Sequence, residues 1–435
     1  MEKRLVRGGV VFSVLLVILM FATLAPAANA VGVAAGPPEG FIVVLEVGAN
    51  PAEVARAHGL GVTQVYTHVL NGFAAPVPAQ ALAGLRNDPR VRFVAPDVAY
   101  PIEVQETPTG IDRAERDLNG DPIDGVTEPI NYDVAIIDTG IYAGHSDLNV
   151  VGGRNFTGGN VNAWGDKNGH GTHTAGTVGA KDNTIGVVGV VPGVRLWALR
   201  VCTSLCPTSA MIAAMDWIVA RKTSTGTDKI DFAVANMSIS SGVEDNNCGN
   251  TNNDPLHTAV CRLVSAGVPL ALAAGNDASS KNNYKEAITV SALADFNGKG
   301  GGGAAATCRT DTDDTRANFS NWGPNVDIMA PGTCIKSTWR DGGYRTISGT
   351  SMAAPHVAGA VVYYLYRNGL PPATDAVGAN AIRDAIVNAG IATTHACGYA
   401  NDSGTQSTEP LLFLNALAFG GNSTCQTTTG TVSVP

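Results

Sequence analysis

The stretch Asp133-Val134-Ala135-Ile136-Ile137-Asp138-Thr139-Gly140 decides the fold. Four apolar residues bounded by polar ones read as a buried strand of a parallel sheet. Asp138 falls at its carboxyl end, where open α/β sheets place their sites. Strand and helix signals alternate on both sides of this stretch, from Thr107 onward. They run through Thr172–Val178, Arg195–Val201, Ala210–Val219, Phe232–Ile239, Thr258–Ala266, Pro269–Ala274, Ile288–Ala292 and Ala354–Leu365. Continuous apolar strands alternating with helices predict an α/β domain whose parallel sheet is covered on both faces. Two further helices are predicted at Ala381–Ala389 and Leu411–Ala418.

Two segments downstream of Asp138 carry chemistry. In Asn168-Gly169-His170-Gly171-Thr172-His173-Thr174-Ala175-Gly176-Thr177, His170 follows a glycine turn and opens a helix of small residues. In Ile347-Ser348-Gly349-Thr350-Ser351-Met352-Ala353-Ala354-Pro355-His356, Ser351 stands at the start of a buried helix. Unpaired N–H groups and the positive end of the helix dipole gather there, and a developing oxyanion would be stabilised. Each residue also has an ordinary reading. Asp138 suits a turn before Thr-Gly, and Ser351 a helix cap. Asn276, in Leu272-Ala273-Ala274-Gly275-Asn276, suits a left-handed turn. His170 and His173 have the spacing of a metal pair, but no third ligand is suggested, and His173 reads better as a hydrogen-bonded core histidine.

Taken together, the strings Ile-Ile-Asp-Thr-Gly-Ile, Gly-His-Gly-Thr-His-Thr-Ala-Gly-Thr and Gly-Thr-Ser-Met-Ala-Ala-Pro-His-Val-Ala-Gly resemble the three active-site signatures of the subtilisin family of serine proteases. They stand in that family's order, Asp138, His170, Ser351. Leu272 to Asn276 resembles the family's oxyanion-hole strand end, and the likeness covers roughly residues 105 to 420. The resemblance implies a parallel seven-stranded sheet sandwiched by helices. It also implies an endopeptidase that cleaves polypeptides through an acyl-enzyme. Ser351 would be the nucleophile, His170 the general base and Asp138 the group that orients it. Asn276 and the Ser351 N–H would serve as oxyanion donors.

Substrate would add as a strand along Ser238, Ile239 and Ser240, opposite Ala273, Ala274 and Gly275. Ser240 stands where the family usually has glycine and is expected to narrow the primary specificity pocket. No carboxylate is clearly placed to hold Lys or Arg, so neutral, apolar or aromatic residues are expected before the scissile bond. Lys181-Asp182-Asn183-Thr184-Ile185-Gly186-Val187 resembles the family's tight calcium loop. Asn183 would give its side-chain oxygen, Lys181, Ile185 and Val187 their carbonyls, Asp147 a carboxylate and Gln105 its amide oxygen, a set suited to structural calcium. The same loop also reads as an ion-free glycine-containing surface turn. Met352, beside the nucleophile, is expected to be sensitive to oxidation. Three other readings compete: an esterase using the same acyl chemistry, a catalytically silent relative acting as a binding or inhibitory module, and a sedolisin-type acid protease. The silent relative would lack one of the four active-site residues, and the sedolisin type would need a carboxylate base where His170 stands.

The rest of the chain frames this domain. The 435 residues carry a net charge of −9 and 45% hydrophobic residues. An acidic chain without a basic stripe argues against nucleic acid as partner. Lys3, Arg4 and Arg7 precede the apolar run Val10–Leu24, and Ala28-Asn29-Ala30 supplies small residues for a signal peptidase, so a secreted product cut after Ala30 is expected. An uncleaved membrane anchor is the rival reading. Residues 41 to 98 read β-α-β-β-α-β, with a hairpin at Asn71-Gly72, which suggests a small ferredoxin-like α+β unit. Its place resembles the inhibitory propeptide of subtilisin precursors. The expected organisation is a signal peptide at 1–30, a propeptide at 31–103 acting as an intramolecular inhibitor, and a peptidase domain at 104–435, working as a monomer. Self-cleavage is expected between Tyr100 and Val104. Eight cysteines, all beyond residue 200, suggest disulfides in an exported chain, and pairing each with its neighbour is the simplest arrangement. Without a Cys-x-x-Cys pair, zinc is not expected. Gly300-Gly301-Gly302-Gly303 reads as a flexible loop. Asn155, Asn318 and Asn422 head glycosylation acceptor triplets.

Overall fold

Most strand residues in the larger domain's sheet are apolar or small, and the reason is visible in strand β5 (Asp133–Asp138). Val134 and Ile136 belong to one buried cluster, while Ala135 and Ile137 belong to another on the opposite face. Both sides of the strand are covered, so alternation of apolar and polar residues is absent. Each such buried aliphatic side chain contributes about 1.5–3 kcal/mol. The computed structural model describes residues 40–66, 71–97, 105–114, 123–240, 244–281, 283–400, 408–419 and 423–434. The expected signal segment, the expected processing bond, Ser241, Gly242 and Asn422 lie outside the described residues.

The chain divides into two units, Met1–Ile102 and Glu103–Pro435. In the first, strands β1 (Gly40–Leu45), β2 (Gln64–Tyr66), β3 (Gly72–Ala75) and β4 (Val91–Asp97) alternate with helices α1 (Pro51–Ala57) and α2 (Ala79–Asn87). The antiparallel order is β2-β3-β1-β4, the ferredoxin-like arrangement expected. Pro51 opens α1, and Asn50 caps it by accepting from Ala52 N at 2.9 Å. Val43, Leu45, Val54, Phe73 and Leu85 form its core.

The second unit begins with helix α3 (Thr109–Arg113) and then β5. Next come β6 (Val150–Asn155), helix α4 (His170–Gly179), β7 (Arg195–Arg200), helix α5 (Thr208–Thr223) and β8 (Phe232–Met237). Helix α6 (Pro255–Ser265), β9 (Leu270–Ala273), β10 (Ile288–Ala294), β11 (Thr315–Arg316) and β12 (Ile328–Pro331) follow. The hairpin β13 (Ile335–Thr338) and β14 (Tyr344–Ile347) leads into helix α7 (Thr350–Arg367), then helices α8 (Ala376–Asn388) and α9 (Asn415–Phe419). The hairpin β15 (Ser423–Thr427) and β16 (Gly430–Val434) ends the described chain.

Seven strands are parallel in the order β6-β7-β5-β8-β9-β10-β12, and short β11 pairs antiparallel with β10. Helices α4 and α7 cover one face, and α5 and α6 the other. After β5 the chain adds β6 and β7 on one side and then crosses to add β8 on the other. The carboxyl end of β5 is thus a switch point, where such sheets open a crevice.

Leu411–Ala418 departs from the helix expected. Leu411 bridges Met329 and Ile391, and the helix begins only at Asn415. Leu411 and Phe413 pack into one cluster, Leu412 and Leu414 into another, so the period is two. The cysteines pair with their neighbours, Cys202–Cys206, Cys248–Cys261, Cys308–Cys334 and Cys397–Cys425. The glycine run is pinned rather than loose. Gly302 N donates to Asp314 Oδ2 at 2.8 Å, and Gly300 N to Gln426 O at 3.0 Å.

Candidate active site

Asp138 ends β5 and is 1% exposed. Both of its oxygens lie on His170 Nδ1, at 2.8 and 2.9 Å, and Thr139 N donates to Oδ1 at 2.7 Å. The close approach depends on Gly171, because a Cβ there would stand 2.2 Å from Gly140 O and 3.1 Å from Asp138 Oδ1. Burial pulls the His170 pKa down, but the charge and hydrogen bond of Asp138, with the charge of Asp166, outweigh it. The net direction is upward from the ordinary histidine value. His173, one turn along α4, is the core residue expected. Its Nε2 lies 2.9 Å from Ile335 O and 3.1 Å from Arg345 O, and burial takes its pKa down to about 3.

Sequence reasoning missed Asp166. Its Oδ1 accepts from Asn168 N and Gly169 N at 2.9 Å and from the Thr139 hydroxyl at 2.9 Å. Its Oδ2 accepts from Thr172 N at 2.9 Å and Thr172 Oγ1 at 2.6 Å. It therefore fixes the turn that presents His170 and satisfies the Thr172 N–H, while Asn168 Oδ1 takes the His170 N–H and Thr139 Oγ1 the Gly171 N–H.

Ser351 stands at the start of α7. Its hydroxyl donates to Ser238 O at 3.0 Å, and the Ser238 hydroxyl returns a bond to Ser351 O at 2.8 Å. The hydroxyl is thus directed to Ser238 O and not to His170 in this arrangement. Serine–histidine bonds often tighten only with substrate present. The oxyanion donors are better fixed. Asn276 Oδ1 accepts from Thr350 N at 2.9 Å and Thr350 Oγ1 at 3.1 Å, which commits its oxygen and leaves its NH₂ to point elsewhere. Asn276 Nδ2 and Ser351 N both lie 3.6 Å from the place a Cβ on Gly349 would occupy. The two nitrogens expected to bind the oxyanion are thus both neighbours of Gly349. Thr350 also accepts from Gly275 N at 3.0 Å, joining this corner to the cleft wall.

The walls expected at Ser238–Ile239–Ser240 and Ala273–Ala274–Gly275 face each other. Ser240 Oγ donates to Ala274 O at 3.3 Å. Gly275, at φ +104°, tolerates no Cβ: one would stand 2.5 Å from Ser240 Oγ and 2.4 Å from Asn321 Nδ2. Asn321 was missed. Its Nδ2 donates to Ala274 O at 3.0 Å, while its Oδ1 accepts from Asp277 N and Ser279 N, so it braces this wall from behind.

The peptidase S8 model of the subtilase family matches residues 131–410, and the peptidase inhibitor I9 model matches residues 42–103. The chain belongs to the subtilase family. Alkaline serine exoprotease A of Vibrio alginolyticus is 36% identical over 329 residues, 72% of this chain and 54% of that protein, so the match spans about half of that relative. Subtilisin E of Bacillus subtilis (strain 168) is 34% identical over 331 residues, covering 74% of this chain and 77% of its own. An extracellular serine proteinase of Thermus sp. (strain Rt41A) is 35% identical over 321 residues, 71% and 69% of the two chains. The crystal structure of a cold adapted subtilisin-like serine proteinase superposes with a TM-score of 0.50 at 29% identity, over 70% of this chain and 97% of that one. This subtilase is therefore a serine endopeptidase of the subtilisin type that carries an inhibitor I9 segment ahead of its catalytic domain.

The residues expected to hold calcium in this subtilase come together. Asp147 is fully buried, and its carboxylate accepts from three neutral donors: Asn183 Nδ2 at 2.8 Å, Val187 N at 3.2 Å and Tyr344 Oη at 3.2 Å. Burial pushes its carboxyl above the usual range despite those bonds. Gln105 Oε1 accepts from Asn183 N at 2.7 Å, and Asn183 Oδ1 from Ile185 N at 2.8 Å. Each amide oxygen keeps a second lone pair. A buried carboxylate served by neutral donors, beside two amide oxygens, fits a hard cation. Lys181 turns its ammonium away to Ser146 O at 2.8 Å. Asp182, missed as a support, accepts from Gln105 Nε2, Asp124 N and Gly125 N and anchors the loop.

Proposed function

We propose that this chain is a secreted endopeptidase made as a self-processing zymogen, with Ser351 as nucleophile. His170 takes the Ser351 proton at Nε2 as the hydroxyl attacks the scissile carbonyl, then returns it to the leaving amine. Asp138 holds the imidazole with Nδ1–H toward the carboxylate and stabilises its charged form. Asn276 Nδ2–H and Ser351 N–H receive the oxyanion. Water then hydrolyses the acyl-enzyme by the same relay. The observation that carries this reading is the pairing of Asp138 with His170 Nδ1 at one strand end, with the two expected oxyanion nitrogens both neighbours of Gly349.

An extended polypeptide lies between the Ser238–Ser240 and Ala273–Gly275 walls. The Ser240 hydroxyl, bonded across to Ala274, favours a modest neutral side chain before the scissile bond. Residues 31–103 serve as the inhibitory propeptide, ahead of a peptidase domain at 104–435, and the enzyme works as a monomer. Asp147, Asn183 and Gln105, with the carbonyls of Lys181, Ile185 and Val187, would hold a structural calcium. It would supply the positive charge that the buried Asp147 lacks. The apolar run behind Lys3, Arg4 and Arg7 supports export, as do the four disulfides.

The test is the intact mass and N-terminal sequence of the secreted product, for the parent and for Ser351→Ala. Loss of residues up to about 100 by the parent alone is the expected outcome. Identical processing of both would assign the cut to another protease.

A further inference from the structure

A basic pocket opens beside the catalytic pair. Its cavity, of about 450 Å³, is lined by Thr139, Lys167, Asn168, Arg200, Thr203 and Ser204. The Cys202–Cys206 bond closes the hook that carries Thr203 and Ser204. The pocket shares no residue with the walls Ser238–Ser240 and Ala273–Gly275. Its lining is tied to Asp138 and His170 instead. Arg200 ends β7 directly across from Asp138 at the end of β5. Val201 N and Cys202 N donate to Asp138 O at 2.8 and 3.3 Å. Thr139 follows Asp138 in the chain, and Asn168 Oδ1 accepts from His170 N at 3.2 Å.

Arg200 is only 7% exposed. Its Nη1 donates to Ala163 O at 3.0 Å, and its Nε is buried without a partner. It makes no ion pair among the described residues. The Nε–Nη2 edge, which offers a carboxylate two parallel N–H groups, is therefore left over. Burying a guanidinium without an anion is costly, so an anion that reached it would be held well. Lys167, exposed on the turn before α4, also makes no ion pair among the described residues.

The carboxylates beside this pocket are already engaged. Both oxygens of Asp138 lie on His170 Nδ1, and Asp166 accepts from Thr139, Asn168, Gly169 and Thr172. Neither belongs to the lining. Two cations and the hydroxyls of Thr203 and Ser204 leave the cavity with the chemistry of an anion site.

We propose that this pocket is a specificity subsite for an acidic side chain of the substrate, a Glu or Asp within a few residues of the scissile bond. Arg200 holds the carboxylate and Lys167 draws it in. The inference rests on the cleft assignment proposed above and deepens it. The space between the two walls sorts the residue at the bond, and the basic pocket sorts a neighbour.

Two measurements test it. The first is kcat/KM of the mature parent on internally quenched peptides, with Glu or Gln walked through the positions flanking the bond. One position should favour Glu over Gln by about tenfold. Arg200→Gln should bring that ratio to about one, and Lys167→Glu should lower it or invert it. The ratio is taken within each variant, so a general loss of activity cancels. A parent that favours Glu at no position, or a preference that survives both substitutions, overturns the proposal. If Arg200→Gln does not fold, Lys167→Glu, at an exposed position, decides. The second measurement needs no turnover. Labelled, amidated tetrapeptides with one Glu at each position in turn are compared with their Gln twins by fluorescence polarisation on the mature parent. One Glu peptide should bind more tightly than its twin, and Lys167→Glu should remove the difference. Equal binding of all twins overturns the proposal. Tighter binding by a chain that cuts no peptide would support the subsite and overturn the endopeptidase reading alone.

Discussion

His170 and His257 are both histidines beside carboxylates, and they are suited to opposite tasks. His170 has Asp138 on Nδ1 alone, and its side chain is 29% exposed at the open end of the sheet. In the mechanism proposed above, its second nitrogen takes the Ser351 proton and gives it back. His257 has no exposure, and its Nε2 lies 2.8 Å from Glu286 Oε2 inside an acidic cluster closed off from the cleft. His173 and His356 complete the contrast. Their partners are backbone carbonyls, and burial takes their pKa values down to about 3 and about 4, which keeps them neutral. Exposure of the ring, and what surrounds it, separates a base from buried histidines of the core.

The largest effect that would sharpen this contrast is at the nucleophile. Ser351→Ala should lower kcat by about 10⁶, the loss measured for the equivalent change in subtilisin, as read in a peptide anilide assay. Asp138→Asn should lower kcat by about 10⁴, because the amide donates toward Nδ1 and imposes the wrong tautomer. Asn276→Leu should lower kcat by about 10²–10³, again the subtilisin magnitude, with KM little changed.

The pH profile reports on His170. His170 works when neutral, so kcat/KM should fall as the pH drops through its pKa, about tenfold per unit below it. That pKa is raised, so the acid limb should lie above the ordinary histidine value of 6.5. The stability contribution has the complementary sign: the Asp138–imidazolium pair supports the fold below the unfolded value and fades as the pH rises through the folded one. An acid limb below 6.5 would break the assignment of Asp138 as the dominant partner.

The smallest effect is at the calcium residues. Chelation should lower Tm by roughly 5 °C or more, and Asp147→Asn should remove the difference between chelated and calcium-loaded enzyme. Equal melting of the parent in both conditions would leave Asp147 a hydrogen-bonded core carboxylate.

Much of this was legible in the sequence, for identifiable reasons. The β5 run was legible because both of its faces are buried, which leaves four consecutive apolar residues. His170 and Ser351 were legible because glycines at 169, 171 and 349 mark tight turns and close approaches. The cysteine count pointed to disulfides, but their pairing was only the simplest of 105 arrangements until the structure joined each cysteine to its neighbour. Asp166, Asn321, Asp182 and the His257 cluster were not legible. Asn321 and Asp182 act through bonds to groups far along the chain, and Asp166 mostly through backbone N–H groups of the next turn, contacts that leave no period in the sequence. Leu411–Leu414 misled because four consecutive apolar residues with alternating fates look the same as one turn of a buried helix.

The most direct test is labelling with phenylmethylsulfonyl fluoride, read by intact mass and peptide mapping, for the mature parent and Asp138→Asn. The prediction is one adduct on Ser351, with loss of peptidase activity in step, formed far more slowly when Asp138 is replaced. An adduct elsewhere, or full activity with Ser351 modified, would contradict the assignment of Ser351 and His170 as nucleophile and base.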